Sequence, residues 1–147
     1  MRTDAQLKGV PASAIIEYYI NPPPSDLLKE VEVLEKSDDG MSATVYWRLA
    51  MPMMSDRDNV AKIHQVKQED GSYFGYCITV DHEKKPSVKN VVRMYQKIYF
   101  KATDVDGVMH YTEISNFDMK GYMPAKLMNM VIASETEKEF ATMYKAM

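Results

Sequence analysis

Between residues 30 and 117 apolar and polar positions alternate in short runs, and the runs are broken by Asp39-Gly40, Asp70-Gly71 and Asp106-Gly107. Asp-Gly accepts the positive φ of a tight reversal, while the Val, Tyr, Ile, Phe and Thr on either side suit a pleated surface, so these pairs read as hairpin tips. The spacing predicts strands over Glu30–Lys36, Met41–Met51, Asn59–Gln68, Ser72–Asp81, Val88–Thr103 and Val108–Phe117. Joined in order they make a six-stranded antiparallel meander.

Two segments follow a helical period instead. Ala14, Ile15, Tyr18 and Tyr19 fall on one helical face within Ala12–Ile20, Ser13 is placed to cap the start, and Asn21-Pro22-Pro23-Pro24 ends the helix. Pro124 opens the second, over Pro124–Lys145, with Leu127, Met130, Val131, Phe140, Met143 and Tyr144 on related turns. Leu127, Met130 and Val131 are expected to face the concave side of the sheet. The order is a short helix, a curved antiparallel sheet and a long terminal helix laid over it.

At 147 residues the chain fits a single domain, and 46% apolar with 27% charged residues is the composition of a folded globular protein. A net charge of −3 supplies no broad positive field, so nucleic acid is set aside as a partner. No run reaches the roughly 18 apolar residues of a membrane span, and Met1–Lys8 lacks the apolar core of a signal peptide. The expected location is cytoplasmic, or an organelle reached by a targeting segment outside this sequence. Thirteen methionines are flexible, polarizable filler suited to an adaptable apolar surface or cavity, and equally to an ordinary core.

The sequence offers little to chemistry. His64, His82 and His110 form no ligand pair, and the lone Cys77 lies in a strand pattern as a small apolar residue, so no metal, cofactor or catalytic group is expected. Asp104-Val105-Asp106-Gly107 is explained by a hairpin tip rather than a calcium loop. Glu113 and Asp118 are read as solvated charges, and Arg57-Asp58 as a local ion pair that braces a turn.

The stretch Val45-Tyr46-Trp47-Arg48-Leu49-Ala50-Met51-Pro52-Met53-Met54-Ser55-Asp56-Arg57-Asp58 resembles the strand, proline loop and Arg-Asp signature of START domains, the StAR-related lipid transfer family. Asp118-Met119-Lys120-Gly121-Tyr122-Met123-Pro124-Ala125-Lys126-Leu127-Met128-Asn129 resembles that family's approach to its terminal helix. The resemblance implies an α+β helix-grip fold (START/Bet v 1-like), in which a curved antiparallel sheet grips a long C-terminal α-helix. It also implies a lipid held in the tunnel between them. START domains are longer, and Ser25-Asp26 stands where they carry Trp-Asp. Residues 1–147 are therefore expected to form one START-like domain lacking the first helix and strands. Within the family the phosphatidylcholine-transfer type is most similar, and its choline-holding aromatics would fall on Trp47, Asn59 and Tyr95. Asn59 is not aromatic, however, and the apolar row Met94, Ile98, Phe100 turns Tyr95 the other way.

Two functions follow from this resemblance. In the first, the protein is a non-enzymatic lipid binder or carrier, its tunnel lined by Trp47, Leu49, Asn59, Ala61, Ile63, Tyr95, Ile98, Leu127, Met130 and Val131. Its ligand is phospholipid before sterol, since Asn59–Gln68 contains no arginine, and its contact with membranes is transient. In the second, it is an accessory subunit without transfer activity. Another chain then covers the open sheet edge at Val108–Phe117, because an uncovered edge invites aggregation.

Overall fold

The computed structural model describes residues 1–121 and 123–125. Its strands are β1 (Arg2–Lys8), β2 (Leu28–Lys36), β3 (Ser42–Leu49), β4 (Asp56–Lys67), β5 (Tyr73–Thr79), β6 (Val91–Arg93), β7 (Tyr95–Val105) and β8 (Val108–Asp118). They form one sheet in the order β1-β8-β7-β5-β4-β3-β2, with β6 lying parallel to β4 off that path. All six expected strands are present, but the meander needs two corrections. The segment expected as one strand over Val88–Thr103 is divided at Met94 into β6 and β7. Ahead of the expected strands, β1 pairs antiparallel with β8 from Arg2↔Ile114 to Lys8↔Val108. The edge expected to await another polypeptide is thus occupied by this chain's own residues. Strand β1 escaped the pattern because only Ala5 and Leu7 are apolar among its seven residues.

The hairpin tips behave as their chemistry requires. Asp106 and Gly107 both adopt positive φ, 52° and 77°, the geometry of a two-residue reversal whose twist matches its strands. At the other two tips the aspartate carboxylates accept local bonds: Met41 N–H donates to Asp39, and Ser72 N–H to Asp70, each at 2.9 Å.

The expected helix over Ala12–Ile20 is a 3-10 turn, Ala12–Ala14, followed by α1, Ile15–Ile20. Ser13 does not cap it. The Asp104 carboxylate accepts the Ala12 N–H instead, at 3.0 and 3.2 Å, from the far end of β7. Six residues are too few for an autonomous helix, so α1 is held by burial. Ile16 and Ile20 pack on Ala43, Val45, Ala61, Ile63, Cys77 and Ile98, while Ile15 joins Leu7, Phe100, Ala102 and Met109. Burying each isoleucine is worth roughly 1.5–3 kcal/mol. Opposite residues in register share a face, so these contacts define one face of the sheet, here called concave, through Val45↔Ala61↔Thr79 and Ile63↔Cys77↔Ile98↔Ser115.

The other face is covered at one end by the loop over 81–90. Arg93 donates to both oxygens of Asp58, at 2.7 and 3.2 Å, and to the Lys85 carbonyl at 2.9 Å. Lys85 pairs with Glu32 at 2.7 Å and lies over the Tyr46 ring. Beneath them Leu34, Tyr46 and Val60 form a small cluster with Val80. Edge strand β2 carries Lys29, Glu30, Glu32, Glu35 and Lys36, the dense charge that discourages edge pairing.

The expected terminal helix, Pro124–Lys145, lies outside the described residues from Lys126 onward. No helix among the described residues is long and apolar enough to cross a membrane.

Gly75 fixes how closely β5 and β7 approach. A Cβ there would stand 2.3 Å from Phe100 Cζ and 2.5 Å from the His64 carbonyl oxygen. Gly75→Ala is expected to destabilise the fold by about 1–3 kcal/mol through overpacking. A urea midpoint unchanged from the wild type would refute this account of the β5–β7 contact.

Candidate functional site

Two packed ends leave a strip between them on the concave face. At one end α1 lies on the sheet. At the other, Met51, Met94 and Met119 are buried together, with Leu49, Met54, Phe117 and Met123 around them. The strip contains Trp47 and Phe117, both half-buried, with Asn59, Thr79 and Gln96 between them.

Register accounts for these neighbours. Trp47 stands opposite Asn59, and Gln96 opposite Phe117. Of the residues expected to line a tunnel, Trp47, Leu49, Asn59, Ala61, Ile63 and Ile98 share the concave face. Ala61, Ile63 and Ile98 are packed under α1 and Leu49 borders the methionine end, which leaves Trp47 and Asn59 on the strip. Tyr95 stands opposite Asp118, on the other face and 39% exposed, because it is one residue out of phase with Gln96 and Ile98. Leu127, Met130 and Val131 lie outside the described residues.

Residues not singled out in the sequence complete the polar part of the strip. Thr79 Oγ donates to Asn59 Oδ1 at 2.7 Å and accepts the Gln96 backbone N–H at 2.8 Å. Gln96 Nε2 donates to Cys77 Sγ at 3.0 Å. Period-two alternation from Ala61 and Ile98 places all of them on this face, but only pairing across strands shows that they meet.

A second polar group lies toward β1. Tyr111 donates its phenolic hydrogen to Glu113 at 2.7 Å, so in the 3.0 Å Tyr19–Tyr111 contact Tyr19 is the donor. Glu113, expected as a solvated charge, is half-buried on the concave face, opposite Phe100 and Thr3. Burial pushes its carboxyl above the usual range, against the opposing pull of the Tyr111 hydrogen bond. Burial, then Tyr111 and Glu113, raise the Tyr19 phenol as well. Asp118 is exposed and pairs with Lys120, as a solvated charge would.

Arg57 and Asp58 are not paired with each other. As strand neighbours they point to opposite faces, and Asp58 takes Arg93. Arg57, 2% exposed, donates Nε to the Met119 carbonyl at 2.8 Å, Nη1 to Ser55 at 2.7 Å and Nη2 to Lys120 at 3.0 Å. It braces the loop before β4 and the chain leaving β8. A buried arginine does therefore exist on β4, just ahead of the span expected for that strand, with each of its three nitrogens bonded to a backbone carbonyl. Among the described residues no group of three or more His, Cys, Asp or Glu is arranged to hold a metal ion.

A family model described as START domain matches residues 24–147. Among curated proteins no relative matches. Among solved structures, human StAR-related lipid transfer protein 5 superposes with a TM-score of 0.77 at 17% identity, over 99% of this chain and 73% of that one. Human STARD10 gives 0.76 at 19%, over 99% and 61%. A STAR-related lipid transfer protein fragment from Xanthomonas axonopodis gives 0.78 at 18%, over 99% and 83%. At these identities the likeness is one of fold, and the chain spans about three fifths of the STARD10 structure.

Glu113 also sets a pH dependence. A carboxyl whose folded pKa is raised adds stability below its unfolded pKa and loses that contribution as pH rises through the folded value. Glu113→Gln cannot ionise, so it is expected to melt above the wild type at neutral pH, with the difference closing toward about pH 4. A wild type that is the more stable at neutral pH would show that the tyrosine bond outweighs the burial.

Proposed function

The chain belongs to the START domain family, and on that premise we propose that it binds one lipid on the concave face, without catalysing a reaction on it. The observation that carries this reading is the strip from Trp47 to Phe117. It is apolar at both ends, half-buried, and set between two packed clusters on the face where α1 already lies. An acyl chain laid there leaves water at a gain of about 0.8 kcal/mol per buried CH₂. The names of the human and Xanthomonas structures, which call two of them lipid transfer proteins, point the same way.

The finer reading is a phospholipid rather than a sterol, held beneath the C-terminal segment and exchanged during transient contact with a membrane in the cytoplasm. Its lining is Trp47, Asn59 and Phe117, with Leu49 at the methionine end and Leu127, Met130 and Val131 from the terminal segment, while Ala61, Ile63 and Ile98 are packed under α1. Tyr95 is left out of it. Arg57 is committed to three backbone carbonyls, so its guanidinium is open neither to a sterol hydroxyl nor to a phosphate, and recognition falls to the neutral side chains of the strip. Residues 1–147 act in this reading as one START-like domain. The accessory-subunit alternative loses its main motive, since β1 already covers β8.

Native mass spectrometry after incubation with phosphatidylcholine vesicles tests the function. One phospholipid per chain is expected, with loading reduced at least severalfold in Trp47→Ala, whose truncation removes a large apolar contact. A wild-type chain that emerges without lipid and in complex with another protein would replace transfer by the accessory role.

A further inference from the structure

Asn59 is 2% exposed, and its side chain is satisfied at one end only. Thr79 Oγ accepts the Gln96 N–H and donates its hydrogen to Asn59 Oδ1. Nδ2 is the remaining end, a buried donor of two hydrogens with no acceptor. Two other buried side-chain atoms without a partner lie elsewhere. Gln65 Oε1 belongs to a side chain whose Nε2 is bound to the Ser13 carbonyl beside α1, and Ser115 Oγ flanks Glu113. Asn59 Nδ2 is the one beside Trp47 on the strip.

The charges nearby narrow what could meet it. Among the described residues, the concave positions of the strands carry three cations. Arg57 is bound to three carbonyls, Lys36 lies at the far end of edge strand β2, 3.9 Å from Glu17 of α1, and Lys67 ends β4, beyond α1 from Asn59. An anionic phosphate at the strip would find no free countercharge beside it. A quaternary ammonium has no lone pair to offer an N–H, and the position opposite Trp47 gives it no second aromatic face. A neutral amide donor suits a neutral acceptor, and in a lipid with two acyl chains the acceptor at the boundary of chain and polar end is a carbonyl.

We propose that Asn59 Nδ2 donates a hydrogen bond to an ester carbonyl of the bound lipid, with Thr79 and Gln96 as positioning residues that fix the direction of the amide. This rests on the lipid-binding reading above and adds to it the depth at which the ligand sits: glycerol-ester level at Asn59, acyl chains along the apolar strip.

Paired probes test it: fluorescent diacyl phosphatidylcholine and the dialkyl ether analogue, which keeps the headgroup and chains but lacks both carbonyls. The wild type is expected to bind the diacyl probe about five- to tenfold more tightly, the size of one net hydrogen bond. Asn59→Asp keeps an oxygen that accepts from Thr79 and, ionised, puts an acceptor where the donor stood, so at a pH where it is ionised the preference is expected to vanish. Equal affinity of the wild type for the two probes would overturn the inference while leaving lipid binding intact, whereas binding of neither would overturn the lipid reading itself. Should Asn59→Asp fail to fold, the wild type suffices. Its Asn59 side-chain ¹⁵NH₂ resonances are expected to move downfield on loading with the diacyl lipid and to stay in place with the ether, and resonances that respond identically to both would refute the carbonyl bond.

Discussion

Arg57 and Asp58 are adjacent on β4, and period-two geometry sends their side chains to opposite faces of the sheet. Each is buried and each must be satisfied where it lands. On the concave side the Arg57 guanidinium gathers the carbonyls of Ser55, Met119 and Lys120, which joins the loop ahead of β4 to the chain leaving β8. On the other side Asp58 takes Arg93, which also grips the Lys85 carbonyl and holds the loop over 81–90. A buried ionic group left unpaired costs several kcal/mol, so these contacts hold as a set. They also decide where β6 lies, because Arg93 reaches Asp58 in the parallel β4–β6 register, Asp56↔Val91 to Asp58↔Arg93.

With both sides fixed in this way, the concave face acquires its division into two packed ends and a strip. Helix α1 closes one end through Ile16 and Ile20, and the methionine cluster closes the other around Met119, the residue whose carbonyl Arg57 holds. Between them a line of polar side chains, Asn59, Thr79 and Gln96, crosses an otherwise apolar floor. Inside a low-dielectric floor such a line is tolerable only if its members satisfy one another, and here it is satisfied except at Asn59 Nδ2. That exception is the atom to which the proposed ester carbonyl is assigned.

Much of the fold was legible because its signals are local. Asp106-Gly107 dictates a reversal with any neighbours, and alternation across Asn59–Gln68 or Val108–Phe117 gives a strand and its inner face. Strand β1 was not legible, since Arg2, Asp4, Gln6 and Lys8 outnumber its apolar residues and only pairing with β8 stabilises it. The break at Met94 was hidden because strand-forming residues, Val91, Val92, Tyr95 and Ile98, stand on both sides of it with no glycine or proline to mark it. At the site, alternation brought Trp47, Asn59, Ala61 and Ile98 to one face and warned that Tyr95 would turn away. What it could not supply were contacts between residues far apart in sequence: Asp104 with Ala12, Thr79 with Asn59, Tyr111 and Tyr19 above Glu113. Arg57-Asp58 misled for the same reason, because adjacency in sequence suggests a pair that a strand forbids.

The central claim is that the concave strip, and not the aromatic surface behind it, receives the acyl chains. Photocrosslinking with a diazirine-bearing phosphatidylcholine, followed by peptide mass spectrometry, tests it most directly. The account predicts adducts on Trp47 and Phe117 and none on Tyr95 or Tyr99, which project from the opposite face. Adducts concentrated on Tyr95, Tyr99 and Phe74, with the strip unlabelled, would contradict it.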